Sequence, residues 1–438
     1  MTKNSRLLRF LPTLIGLAAF AAMALLYKLN YTLYLEIFKA IGVIPWSYPF
    51  VDGEFMYAMK HCWLQGIDVY QSVPCDVVPG NKMAYSPLWQ RLPLLPDDVA
   101  ARLPIGLASD LLLLLSVAWL PASRSLRDAI LLSLATISPM VCFALERNNI
   151  DVWIYLLIFV AGLSFGRSFW SRCLSYLVFF VAGLLKYYPM ILFALALRER
   201  AKRFWAIAFA SLGGLALFCL AFRRELLESL QNVPAGPPVT DLVSIANIPI
   251  VAAIGLENTS AHSPVVLALR LGLTALVFAL AYRLAARRGL AASLGKMPEA
   301  DATWLVIGCL VMGGCYLAIQ NVGYRGVYLL PVLSGLLGLR SVAEDPRLRD
   351  ALGRATLAVV PIMWMEGVRH WADVLAESVS ASWLMPVRIM AWLTREILWL
   401  YLASVMTAVV MGYVANSAIG RSLLDRAAAF RQAAPQQS

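Results

Sequence analysis

The chain has 438 residues, 60% of them hydrophobic and 14% charged, with a formal net charge of +11. Soluble domains hold about 25% charged residues, so this composition, with a mean hydropathy of +0.70, excludes a soluble enzyme. Recurrent apolar runs of spanning length, without the one-sided alternation of a membrane barrel, predict an all-α polytopic membrane protein.

Twelve hydrophobic segments are predicted, at 9–27, 103–120, 128–146, 151–166, 173–186, 188–197, 204–221, 264–282, 303–320, 327–339, 355–371 and 396–415. The first begins beside basic residues and ends on small ones, as a secretory leader does. Its long apolar core instead predicts a retained helix. With the N-terminus in the cytoplasm, most Lys and Arg fall on the cytoplasmic side. The inverted topology would expose "RERAKR" (198–203) and "RLAARRGL" (283–290) outside. The basic surplus is therefore topological, and no nucleic-acid partner is expected. Residues 1–420 read as one membrane domain and 421–438 as a basic cytoplasmic tail.

Two long outside loops, 28–102 and 222–263, carry most of the elaboration. The stretches "YLEIFKAIGVI" and "LVSIANIPIVAAIGL" are too short to span and suit helices lying along the membrane surface. The first loop holds Asp52 and Glu54 among aromatic residues, together with Cys62 and Cys75, which suit a disulfide in an oxidising compartment. The histidines His61, His262 and His370 lack the spacing of metal ligands. No metal or cofactor is expected.

Ionisable groups near or within the spans call for a function or a partner. "LERNNID" (145–151) places Glu146, Arg147, Asn149 and Asp151 in a tight turn. In "GLLKYYPMIL" (183–192), Lys186 precedes Tyr187 and Tyr188, and Pro189 breaks the helix. In "QNVGYRGVYLLP" (320–331), Arg325 lies between two glycines. Asp110 and Arg270 fall about 9–11 Å deep at about 1.5 Å per residue and are expected to pair, or at least to share a polar pocket. Polar hairpins, snorkelling cations and solvated loop carboxylates would also account for these residues one at a time. Taken together, a carboxylate and isolated cations on one face suit transfer of a sugar from a lipid phosphate. A base takes the acceptor proton, and fixed cations meet the charge on the departing phosphate.

"VDGEFMYAMKHCWLQGIDVY" (51–70) resembles a pattern in the GT-C superfamily of integral-membrane glycosyltransferases, at Asp52, Tyr57, Gly66, Asp68 and Tyr70. The branch it resembles uses polyprenyl-phosphate mannose. "AYSPLWQRLPLLP" (84–96), "LERNNID", "LLKYYPMILFALALRER" (184–200) and "YRGVYLLP" (324–331) are similar to further motifs of that branch, in the same order.

The resemblance implies a GT-C-like fold of about twelve spans and an inverting transferase without a nucleotide-sugar site. Its donor would be a polyprenyl-phosphate sugar and its acceptor a glycolipid or glycan. It implies Asp52 as the base, with Glu54 as an open alternative, and Arg147, Lys186 and Arg325 on the donor phosphate. Tyr57, Tyr85, Asn149, Asp151, Tyr187, Tyr188 and His262 are expected to line the substrate site. The expected location is the outer face of a bacterial cytoplasmic membrane, with both termini in the cytoplasm. The other readings are a lipid-linked glycan polymerase or ligase, which needs no early base, and a lipid-linked sugar transporter, which needs polar groups toward both leaflets.

Overall fold

The computed structural model describes residues 3–166, 168–233, 242–255, 263–287, 289–318, 320–423 and 425. Among these the regular elements are all helices, joined by turns and loops, with one isolated antiparallel bridge between Val243 and Asn321. Among the described residues, eight helices are long and apolar enough to cross a membrane. They make this a polytopic all-α membrane protein.

The other four apolar segments of the sequence take different forms. The run at 128–146 is two helices, Leu126–Thr136 and Pro139–Arg147, bent by 42° at their junction. Ser138 caps the second helix by accepting from the Val141 N–H, and Pro139 at its first turn excludes continuity with the helix before. The run at 151–166 is the 15-residue helix Ile150–Ser164, too short to span alone. The run at 188–197 is an 11-residue 3₁₀ helix, Tyr188–Arg198. At 2.0 Å per residue it rises about 22 Å, further than an α-helix of equal length. The run at 327–339 closes a 3₁₀ turn, Gly323–Tyr328, and enters the 14-residue helix Leu329–Val342.

The two loop segments read as surface helices are the short helices Tyr31–Ala40 and Asn247–Gly255. Tyr34 and Phe38 of the first pack with Met23, Leu26 and Tyr27 of the N-terminal helix. Cys62 and Cys75 form a disulfide with their Cα atoms 5.9 Å apart. It ties the long first loop to the helix Val51–Leu64.

The last two helices, Pro346–Val379 and Leu384–Asn416, run to 34 and 33 residues. Each is about 50 Å long, against a hydrocarbon core of about 30 Å. They pack on each other, and Leu384–Asn416 also packs on Pro264–Arg287 and Glu299–Ala318. The helix carrying the predicted segment 396–415 thus begins at Leu384, twelve residues earlier. Arg395 and Glu396 are buried in the helix pair, where Arg395 meets Glu396 at 2.9 Å and Glu366 at 3.3 Å.

The bundle has two distinct ends. Glu299 meets Arg198 and lies beside Gly166 at one end, close to the start of the helix Phe169–Lys186. Arg172 pairs with Glu199 there at 2.5 Å. The helices Phe169–Lys186 and Glu299–Ala318 therefore run through the bundle in the same direction. Both finish at the other end, where Lys186 and Ala318 border a cavity.

The helices Glu299–Ala318 and Leu329–Val342 approach through glycine. A Cβ on Gly335 would lie 2.5 Å from the Leu305 Cβ and 2.9 Å from its Cα. Gly335→Ala therefore overpacks a backbone contact and should cost about 1–3 kcal/mol. It should appear as a lower melting temperature in detergent, whereas Gly213→Ala, with open space around it, should leave melting unchanged or slightly raised.

Candidate functional site

A cavity of about 1070 Å³ opens at the end of the bundle away from the basic loops. Its wall draws on the start of the helix Val51–Leu64, the long first loop, the ends of the helices at 186 and 318, and the segment 320–325. Asp52, Tyr85, Asn149, Lys186, Tyr187, Tyr188 and Arg325 all border it. The first loop, the "NNID" turn, the "KYYP" break and the "YRG" turn thus converge on one space.

The anchor of this wall is Asp151, which has no exposed surface. Its Oδ2 accepts from Lys186 Nζ at 2.8 Å and lies 3.5 Å from Arg325 Nε. Its Oδ1 accepts from the Tyr188 hydroxyl at 2.6 Å, and that hydroxyl is 2.7 Å from the Tyr328 hydroxyl. Two cations against one carboxylate leave the Asp151 cluster itself with one positive charge in excess, which Asp52 faces across the Asn149 amide. The Arg325 guanidinium lies over the Tyr188 ring at 4.9 Å. Lys186 lies 5.2 Å from the centre of the Tyr85 ring and 5.7 Å from that of Tyr324.

Asp52 sits on the same wall, in the first turn of its helix, where the helix dipole favours a carboxylate. Asn149 Nδ2 donates to its Oδ2 at 2.6 Å, and Asn149 Oδ1 accepts from Lys186 Nζ at 3.5 Å. One amide therefore bridges the carboxylate and the cation pair. The Asp52 side chain keeps 30% of its surface open and is enclosed by protein elsewhere. That burial raises its pKa above the usual carboxylate value, against the opposing pull of the Asn149 amide and the Arg147 and Lys186 charges.

The two early carboxylates part company in three dimensions. Glu54 is buried and engaged by Arg102 Nη1 at 2.6 Å and by the Tyr48 hydroxyl at 3.3 Å. Glu54 does not line the cavity.

Arg147, expected on a phosphate, does not line the cavity either. It lies beside Asp52, with Nη1 3.9 Å from Oδ1, and its Nε is 3.0 Å from Glu146 Oε2. Its Nη2 donates to the Ile44 carbonyl at 3.0 Å, and its guanidinium stacks over Trp46 and Phe143. Packing between two carboxylates and two rings uses the group as a neighbour of Asp52. Tyr57 is fully buried and stacks on Trp153 in the core, away from the cavity wall. Asp151 is enclosed beneath the wall and holds the groups that form it. His262 falls outside the described residues.

The expected Asp110–Arg270 pair is replaced by two separate arrangements. Asp110 accepts from Asn148 Nδ2 at 3.2 Å. Arg270 donates to the Leu317 carbonyl at 3.0 Å and to that of Ala318. Arg270 thereby covers carbonyls at the open C-terminal end of a helix, where orphan acceptors need donors.

Sequence reasoning missed Trp46 and Tyr324, which line the cavity next to singled-out residues. It also missed a polar line leading inward from the wall. Gln320 Nε2 donates to Asn247 Oδ1 at 3.4 Å, and Asn247 Nδ2 donates to Glu396 Oε1 at 3.3 Å. The two adjacent charges at 395 and 396 were the available signal. Among the described residues, no group of three or more His, Cys, Asp or Glu is arranged to hold a metal.

Comparison with known protein families, with curated proteins and with solved structures finds no match to this chain.

Removing one member of a buried ion cluster leaves the others uncompensated, at a cost of about 3 kcal/mol or more. Asp151→Asn should therefore lower the melting temperature strongly in detergent. Adding Lys186→Met to Asp151→Asn should recover part of that loss, because one of the stranded charges is then gone.

Proposed function

We propose that this protein is an inverting glycosyltransferase that moves one sugar from a polyprenyl-phosphate sugar to a glycolipid or glycan. The observation that carries the reading is a single amide, Asn149, joining Asp52 to Lys186 on the wall of one cavity. A base and an anion-binding pair, held within one side chain's reach of each other, is what transfer from a lipid phosphate requires.

Asp52 takes the proton of the acceptor hydroxyl as its oxygen bonds to the anomeric carbon. The bond from that carbon to the donor phosphate breaks on the opposite face, so the configuration inverts. The departing phosphate gains charge against Lys186 and Arg325, which Asp151 and Tyr188 already hold in place. No reorganisation is then needed at the moment of reaction. The cavity, about 1070 Å³, is of a size that holds a sugar phosphate and the end of an acceptor. The proposed setting is a GT-C-like chain in a bacterial cytoplasmic membrane. Its cavity would face outside, and its termini and basic loops would lie in the cytoplasm. That orientation lets the donor keep its lipid tail in the bilayer.

Purified protein in detergent, given synthetic short-chain polyprenyl-phosphate mannose or arabinose and a membrane lipid extract, should transfer one of these sugars. Asp52→Asn should lower turnover by about 10²–10⁴-fold with donor binding retained. Glu54→Gln should keep catalysis, its effect confined to the contact with Arg102. Consumption of neither donor, or full activity in Asp52→Asn, would overturn the reading.

The pH profile gives a second check. Burial raises the pKa of Asp52, and a base works only when ionised. Turnover should therefore fall as pH drops through that raised value, at a higher pH than the value near 4 of an unperturbed aspartate.

A further inference from the structure

Asp110 is buried inside a membrane helix, and the chemistry above makes no use of it. It lies one residue beyond Ser109, and both face the side chain of Asn148. Asn148 Nδ2 donates to Ser109 Oγ at 2.6 Å and to Asp110 Oδ1 at 3.2 Å, while its Oδ1 accepts from Trp153 Nε1 at 3.1 Å. Both donors and one acceptor position of the amide are thus taken. The backbone of Asn148 is left-handed, with φ +46°, and it closes the helix Pro139–Arg147. Asparagine tolerates this conformation better than most residues, but a free side chain would not hold it in one orientation.

The same turn receives the helix that carries Asp52. The Phe50 N–H donates to the Glu146 carbonyl at 2.6 Å. Gly53 leaves no room beside Asn148, since a Cβ there would lie 2.9 Å from Asn148 Oδ1. Asn149, the next residue, supplies the amide that bonds Asp52 at 2.6 Å. The side chain clamped on one side of the turn and the amide aimed at the cavity on the other are separated by a single peptide.

We propose that Asp110 is a positioning residue: by accepting from Asn148 it fixes the 148–149 turn, and so aims the Asn149 amide at Asp52. The role rests on the reading of Asp52 as the base, but the geometry can be tested without any substrate. The Asn149 bond favours the charged form of Asp52. Loosening the turn should therefore move the protonation of Asp52 to higher pH. The other groups facing Asp52 are Arg147, Lys186, Glu146, Asp151, Tyr85 and Tyr324, and none of them is altered in the test.

The full chain in detergent would be titrated by infrared spectroscopy, with Asp52→Asn identifying the Asp52 carboxyl band. In Asp110→Leu the Asp52 titration should move up by about 1–2 pH units, the size of one hydrogen bond to a charged group. In Asp110→Asn, whose side-chain oxygen still accepts from Asn148, it should stay where it is in the wild type. A folded Asp110→Leu protein with an unmoved titration would overturn the proposal, as would an equal shift in Asp110→Asn. If Asp110→Leu does not fold, Asn148→Gly keeps the left-handed turn but removes the side chain that Asp110 holds, and an unmoved titration there overturns the proposal in the same way. A wild type that transfers no sugar would count against the proposed function only, since the titration still judges Asp110.

Discussion

The cavity depends on one buried carboxylate. Asp151 has no exposure to solvent, and its two oxygens hold Lys186 and Tyr188 from one segment and Arg325 from another. Two cations so close would repel each other in the absence of that anion, and a lone carboxylate at this depth would be costly to bury. Each therefore requires the others, and the helices bearing them are drawn to the same point. Asp151 itself is placed by the turn before it: the Asn149 side chain accepts from the Asp151 N–H and caps the helix Ile150–Ser164.

The remaining charges sort themselves by what they touch. Glu54 is satisfied by Arg102 and Tyr48, so it ties the Asp52 helix to the span that follows. Arg147 is held between rings, a carbonyl and Glu146, and its charge reaches Asp52 from the side. Asp52 alone among these carboxylates borders the open space while keeping a fixed hydrogen bond at its back. Exposure on one side and constraint on the other is the geometry that the proposed role of base would require.

Away from the cavity, the architecture follows from helices that need not match the bilayer. The two C-terminal helices are far longer than a crossing requires, and they bury Arg395 and Glu396 against Glu366. Asn247 and Gln320 extend that polar line to the cavity wall. Conversely, the 3₁₀ helix Tyr188–Arg198 covers distance with few residues, leading from the Lys186 break to the ion-paired basic end. Pro189 sets its start, since the ring cannot continue the preceding α-helix.

The sequence by itself determined the membrane class, the apolar helices and the stretches that meet at the cavity. These follow from local composition, from proline and glycine punctuation, and from the cost of charge in an apolar chain. The helix break at Ile137–Ser138 and the burial of residues 395 and 396 were less legible, because hydropathy averages over a bend and treats a charge pair as a boundary. Only the tertiary structure decided which of Asp52 and Glu54 is open, where Arg147 points, and that Asp110 answers Asn148 while Arg270 covers carbonyls. A charged residue's role is set by the partner it finds across the fold, and that partner is tens to hundreds of residues away in the chain, where no local pattern records it.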